Sequence, residues 1–423
     1  MNKKQSNKMR EMKDSGISWV GEIPKEWSVW RNKYIFKITK DIVLPSKSYQ
    51  LLSLTTTGIK EKDENDNGGK VPENYDGYQV VKENDLVMCL FDLDCSAVFS
   101  GLSPYNGMIS PAYKVLKVKK RIANEQYYRY WFNYVGSKRF YKQYSKSLRF
   151  TLNADEFNRL FSLLPPLAEQ QRIAEFLDRD CGKIDGLKAD IQAQIDTLEQ
   201  YKRSVITEAV THGLNPSAPM KDSGIPWVGQ FPTHWTKKKG KYILRYMSKP
   251  VKQDDGVITC FRDGEVTLRS NRREDGFTMA DKEIGYQGVD VGDLVVHGMD
   301  GFAGAIGISD SRGKASPVLN VLNTKQNKKY IMYYLRSMAY GEVFTALSTG
   351  IRVRSCDLRW NKLAELLYPL PPIDEQNNIV NYIDEQIART NEIIADKKSQ
   401  IETLDGYKKS LIYEYVTGKK EVG

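Results

Sequence analysis

An internal repeat constrains this chain more than any other feature. Residues 12–38, MKDSGISWVGEIPKEWSVWRNKYIFKI, return at 220–246 as MKDSGIPWVGQFPTHWTKKKGKYILRY, an offset of 208 with 14 of 27 positions identical. Trp19 and Trp27 recur as Trp227 and Trp235. A second segment, LPPLAEQQRIAEFLD from Leu164, returns as LPPIDEQNNIVNYID from Leu370 at an offset of 206 and continues without a gap to EAVT and EYVT. Weaker echoes fill the space between: VKENDLVM from Val81 answers VDVGDLVV from Val289, and GMISPAYKVL from Gly107 answers GKASPVLNVL from Gly313. The chain is two copies of one unit, with a period too long for a solenoid.

Each copy has two parts. The first alternates short β-branched and aromatic runs with Gly, Asn and Asp turns, which predicts strands at about 49–56, 85–91, 113–119, 257–261 and 293–297. Helices are expected near 124–144 and 328–347. The second part starts at Pro165-Pro166 or Pro371-Pro372 and runs about 45 residues without another proline, which reads as one long helix. A helix of that length spans ~65 Å and outruns a small domain. Ile184, Leu187, Ile191, Leu198, Tyr201 and Val205 fit the a and d positions of a heptad, with Gln194 the polar exception. In the second copy Ile387, Ile394 and Ile401 fit one position and Leu404 and Leu411 the other, which polar Thr390 and Lys397 share. The expected fold is therefore α+β. Two mixed α/β domains, 1–163 and 214–369, are separated by helical regions at 164–213 and 370–423, whose helices pair as an antiparallel coiled coil in a pseudo-two-fold repeat with the globular parts at opposite ends.

Composition narrows the partners. Lys and Arg number 63 against 53 Asp and Glu, a net charge of +10, so a polyanion is a plausible partner. No apolar run approaches the ~18 residues of a membrane span, and the start MNKKQSNKMREMKDSG lacks the apolar core of a signal peptide, so a cytoplasmic protein is expected. Five widely spaced cysteines, Cys89, Cys95, Cys181, Cys260 and Cys356, read as reduced thiols in the core, and three scattered histidines suggest no metal site.

Motifs for chemistry are missing. There is no GxxxxGK[ST] loop, no strand-linked GxGxxG and no NPPY-type or DPPY-type tetrapeptide of an amino-methyltransferase. GMDGFAG from Gly298 reads as a turn, and the pairs Asp92/Asp94 and Asp254/Asp255 as surface turns, so no catalytic or metal residue is assigned. The domains look like readers. Candidate nucleic-acid contacts in the second domain are Arg262, Arg269, Asn271, Arg272, Arg273, Arg352 and Arg354, because arginine forks suit guanine edges and phosphates and asparagine suits adenine. The first domain is poorer in arginine and offers Thr55, Thr56, Lys60, Lys62, Lys146 and Arg149. Trp19, Trp27, Trp227 and Trp235 are expected as packing anchors, since both copies keep their spacing.

The two doubled segments resemble the hallmark signatures of the specificity subunit of type I restriction-modification systems, and the resemblance covers the whole chain. Its framework residues here are the four tryptophans with Pro165, Pro166, Glu169, Gln170, Pro371, Pro372, Glu375 and Gln376. The resemblance implies that each target recognition domain reads one half of a bipartite, asymmetric double-stranded DNA site while the helices set the gap. It implies that the helices dock two modification methyltransferase subunits, which use S-adenosylmethionine to methylate adenine, and that restriction motor subunits using ATP and magnesium join them. This chain would then bind no cofactor and supply no catalytic residue. An orphan specificity subunit, or the recognition arm of another restriction-modification class, is the alternative.

Overall fold

A computed structural model of the chain describes residues 10–43, 49–62, 75, 77–272, 284–347 and 358–422. Two compact units emerge: residues 1–190 with 399–423, and residues 191–398.

In the first unit a four-stranded antiparallel sheet has the spatial order Phe36–Thr39, Lys114–Val118, Leu86–Met88, Ser100–Leu102. Alternate residues of its strands serve two cores, as a two-residue period demands. Leu86, Met88, Leu116 and Phe36 join the large core around the helix Glu125–Ser137. Val87, Cys89 and Val115 face a smaller core with Leu52, Leu54, Ile59, Val81 and Ile109. The smaller core lies under the hairpin Leu52–Thr55/Gly58–Glu61 and the strand pair Gln79–Val81/Gly107–Ile109.

The second unit repeats this plan. Its sheet order is Leu244–Tyr246, Leu319–Thr324, Leu294–His297, Ile306–Ile308. Leu294, Val296 and Leu322 face the helix Lys328–Tyr340, whereas Val295 and Val321 face Ile258, Cys260 and Val266 of the hairpin Ile258–Cys260/Val266–Leu268. Each core helix starts on an asparagine cap: Asn124 accepts from Tyr127 N–H, and Asn327 from Lys329 and Tyr330 N–H. The paired echoes ENDL and VGDL also become intelligible. Asn84 and Gly292 sit at φ +69° and +84°, and the following Asp85 and Asp293 carboxylates accept the backbone N–H of Lys82 and Asp290, closing a turn into the central strand.

The long helices run Leu167–His212 and Ile373–Val416, starting directly after the two double prolines. Gly182 and Gly186 leave the first helix unbroken. Within each unit a stretch of one helix lies antiparallel to a stretch of the other. In the first unit Lys188 reaches Asp405 and Lys408 reaches Asp185 at 2.7 Å; in the second Lys202 reaches Asn391 at 2.9 Å and Lys397 reaches Gln194. The seam of the second helix follows the expected heptad, with Thr390 and Ile394 buried. That of the first departs from it at one position. Ile184, Ile191, Leu198 and Val205 face inward, but their seam partners are Lys188, Ile195 and Lys202, while Leu187 and Tyr201 are exposed. The two lysines lay their aliphatic stems along the seam and carry their ammonium groups to polar partners at its edge, a packing that an apolar count misses.

Two further expectations change. Cys89, Cys181 and Cys260 are buried, but Cys95 lies at the surface; Cys356 is outside the described residues. Asp255 is buried rather than in a surface turn, because Arg312 donates to both its carboxylate oxygens at 3.0 and 2.8 Å. Among the described residues no helix is long and apolar enough to cross a membrane.

Candidate nucleic-acid interface

The two doubled signatures meet in space. The strand Ser28–Arg31 pairs antiparallel with Phe161–Leu164, and Thr236–Lys239 pairs with Leu367–Leu370, which places each fully buried tryptophan beside the start of a long helix. Trp27 Nε1–H donates to Glu169 Oε2 at 2.9 Å and Trp235 Nε1–H to Glu375 Oε1 at 3.0 Å. Arg10 adds two bonds to Glu169, and His234 contacts Glu375 at 2.7 Å. The next residue is a clamp. Gln170 donates to Ile122 O and Pro165 O and accepts from Asn124 N–H; Gln376 donates to Pro371 O and Gln326 Oε1 and accepts from Asn327 N–H. The Glu-Gln pair thus ties the long helix to the cap of the core helix, a structural task.

The other end of a long helix closes each clamp. Gly213 and Gly418 take φ +80° and +70° at the helix ends, and a Cβ there would stand 3.1 Å from the Trp235 ring and 3.0 Å from that of Trp27. Tyr330 Oη–H donates to Val210 O and Tyr127 Oη–H to Val416 O. Trp19 and Trp227 are only partly buried; Trp19 stacks on Phe140 at 4.3 Å and Trp227 donates to Tyr334 Oη.

On this frame the candidate contacts fall into three places. Thr55 and Thr56 lie at the tip of the first unit's hairpin, with Lys60 and Lys62 along its return strand and just beyond it. The Thr55 hydroxyl is spent on Gly58 O at 2.7 Å, while Thr56 and Lys60 are exposed. Lys146 and Arg149 sit together on a separate exposed loop of that unit. In the second unit the matching hairpin carries Arg262, Arg269, Asn271 and Arg272, and internal bonds hold all four. Arg262 pairs with Asp300 at 2.9 Å, Arg269 Nε–H reaches Thr259 Oγ1, and Asn271 Nδ2–H reaches Thr267 Oγ1. Arg272 bridges Asp263 and Glu265 and lies over the Phe261 ring at 4.1 Å. Arg273, Arg352 and Arg354 lie outside the described residues.

Sequence reasoning missed the helix cations beside these hairpins. A cleft of about 840 Å³ in the second unit is lined by Arg262 and Asp263 together with Lys202, Arg203 and Arg336. Arg203 and Arg336 both lie over the Tyr340 ring, at 5.4 and 5.8 Å, and Arg336 also donates to Asp263 O, bracing the hairpin tip. The first unit has a matching cleft of about 850 Å³ lined by Thr56, Thr57, Arg129, Lys188 and Lys408. There the cations are matched by Asp178, Asp405 and Asp185. No local signal could reveal either cleft, because its walls come from segments far apart in the sequence.

Burial lowers the pKa of His297, which accepts Met299 and Asp300 N–H at Nδ1, so the proton of the neutral ring is on Nε2. Burial likewise pushes the Cys260 thiol up to about 12. No group of three or more His, Cys, Asp or Glu side chains that could hold a metal occurs among the described residues.

The Arg272 geometry gives an expected result. If this hairpin meets phosphate, replacing Arg272 by alanine weakens binding to all duplexes alike and flattens the dependence of log K on log salt by about one unit. A guanine contact instead relaxes one base position, by about 1–3 kcal/mol. Titrations of labelled duplexes at several salt concentrations separate the two, and an unchanged affinity removes Arg272 from the interface.

No family model matches the chain. It is 22% identical over 441 residues to the "Putative type I restriction enzyme MjaX specificity subunit" of Methanocaldococcus jannaschii, covering 95% of this chain and 96% of that protein. It is 23% identical over 360 residues to the type I restriction enzyme MjaVIII specificity subunit of the same organism, covering 81% and 80%. Among solved structures, a chain from work on complex assembly and conformational transition of the type I R-M system matches with a TM-score of 0.67 at 13% identity, over 94% of this chain and 99% of that one. The HsdS subunit from Thermoanaerobacter tengcongensis matches with a TM-score of 0.50 at 13% identity, over 94% and 98%. In sequence over nearly its whole length, and in its doubled sheet-and-long-helix fold, this chain is similar to the specificity subunits of type I restriction enzymes.

Proposed function

We propose that this chain is the DNA-reading subunit of a type I restriction-modification complex, with residues 1–163 and 214–369 each binding one half of a bipartite, asymmetric site. One observation carries the reading: the frame is kept in both copies while the surface that could read bases is not. Sheet order, tryptophan clamp and caps repeat, but the equivalent hairpin tips are Thr56-Thr57 and Arg262-Asp263-Gly264. Threonine and arginine tips recognise different edges, so two half-sites of different sequence follow.

The long helices dock two modification methyltransferase subunits. Exposed apolar side chains support this assignment because they recur at the repeat offset of 206: Leu187 (53%) with Ile393 (47%), and Tyr201 (46%) with Tyr407 (58%). Leu187 and Tyr407 belong to the first unit and Tyr201 and Ile393 to the second, so each unit exposes one aliphatic and one aromatic side chain on its helices outside the seam. The chain itself is non-catalytic and binds no cofactor. S-adenosylmethionine belongs to the methyltransferase subunits, ATP and magnesium to the restriction motor subunits, and the assembly acts in the cytoplasm. Genome-wide mapping of methylated adenine in cells expressing the chain with its methyltransferase tests the reading. The expected motif is two unlike half-sites around a fixed gap, with no methylation when the chain is expressed alone. A single continuous motif, or turnover by the chain alone, contradicts it.

A further inference from the structure

Leu148 is completely exposed, at the tip of the loop that also carries Lys146 and Arg149. Single exposed leucines are ordinary on protein surfaces. The platform under this one is not. Ser145 Oγ–H donates to Thr151 O at 2.9 Å, Thr151 N–H donates to Ser147 Oγ at 2.7 Å, and Phe150 N–H donates to Ser147 O, so the tip closes on itself. A second loop grips the base: Asp92 N–H bonds Arg149 O, Leu93 N–H bonds Phe150 O, and Leu152 N–H bonds Leu90 O at 2.7 Å. Leu152 is buried, and Lys142 lies 4.5 Å from the Phe150 ring. Phe150 holds φ +44°, a left-handed conformation uncommon for a bulky side chain, and Asp92, a residue type that tolerates it, holds +49°.

The loop therefore uses hydrogen bonds and one left-handed phenylalanine to hold an apolar side chain out in water, in a segment that also exposes two cations. Among the described residues neither Lys146 nor Arg149 has a carboxylate partner. An apolar tip flanked by positive charge matches a duplex, whose phosphates lie on either side of stacked bases. We propose that Leu148 is an apolar wedge that enters the base stack of the half-site read by the first unit, with Lys146 and Arg149 on the flanking phosphates. Such wedges partly unstack a base step and kink the duplex. The inference rests on the DNA-reading function proposed above, and it names a residue that determines specificity through the ease of unstacking one step.

The test uses the purified full chain and a duplex carrying the mapped site, with 2-aminopurine replacing each adenine of the half-site in turn. The wedge predicts a rise in 2-aminopurine fluorescence at one step on binding. Leu148→Ala loses that rise, binds about tenfold more weakly, and keeps both the salt dependence and the segment-by-segment hydrogen-exchange protection of the parent. Arg149→Ala, in contrast, weakens all duplexes and flattens the salt dependence. If the parent discriminates the mapped site from a scrambled duplex but Leu148→Ala binds identically, the wedge is wrong and the reading stands. Weaker binding by Leu148→Ala with no fluorescence rise in the parent also overturns it, in favour of a surface contact such as one to a thymine methyl. Failure of the parent to discriminate the two duplexes removes the DNA-reading function and the wedge with it.

Discussion

Replacing Trp27 by alanine destabilises the first unit by about 4 kcal/mol. Trp27 is fully buried, packed on Gly418, and hydrogen-bonded to Glu169. Truncation leaves a cavity under the helix end and removes the indole donor that orients the Glu169 carboxylate. Phenylalanine fills most of the volume and forfeits mainly the hydrogen bond, so Trp27→Phe costs about 1–2 kcal/mol. Because the chain has two compact units, a single melting midpoint is a poor reporter. Hydrogen exchange read segment by segment is a better one. In Trp27→Ala the amides of Tyr127–Val135 exchange faster, while those of Tyr330–Leu335, which answer to Trp235, keep their protection. Equal acceleration in both segments would show that the clamp does not act unit by unit.

Arg312→Met costs about 3 kcal/mol in the second unit, because it strands a buried carboxylate. Arg312 donates twice to Asp255, and also to Asp290 and to Pro250 O at 3.1 Å; Lys249 holds Asp290 and buried Asp293 from the other side. The hydrogen bonds from Arg312 lower the Asp255 pKa from 3.8 to about 2. A carboxylate whose pKa falls on folding stabilises the fold fully above its unfolded value, and the contribution is lost as pH drops through the folded one. The parent's second unit therefore loses stability between about pH 4 and pH 2, and Arg312→Met shows a weaker pH dependence there. Urea denaturation across that range checks it; parallel curves for parent and variant would contradict the assignment.

Much of this architecture was legible because duplication writes the same physical requirement twice. Two prolines before a long proline-free run place both helix starts, and the matched tryptophan spacing identified Trp27 and Trp235 as anchors. The partner of each tryptophan was less visible. Glu169 and Glu375 stood out as framework residues, but a sequence does not say that an indole N–H meets their carboxylates. The first helix misled for a physical reason: Leu187 and Tyr201 fit a heptad, yet the seam takes Lys188 and Lys202 with their charges turned to its edge. Among the candidate contacts, the arginines of 262–272 did gather on one hairpin, but sequence could not reveal that they are bonded to it. Leu148 escaped notice because a lone leucine in a polar loop carries no periodic signal; only its exposure on a braced tip distinguishes it.

The central claim is that two separate domains each read their own half of one DNA site. Exchanging residues 38–160 for the matching segment of a relative, then mapping methylated adenine genome-wide beside the parent, tests it most directly. Each unit has its own sheet and two cores, so the exchange leaves the second reader intact. The account predicts a motif with one half-site replaced and the other half-site and the gap unchanged. A simultaneous change in both half-sites, or an unaltered motif, would contradict it.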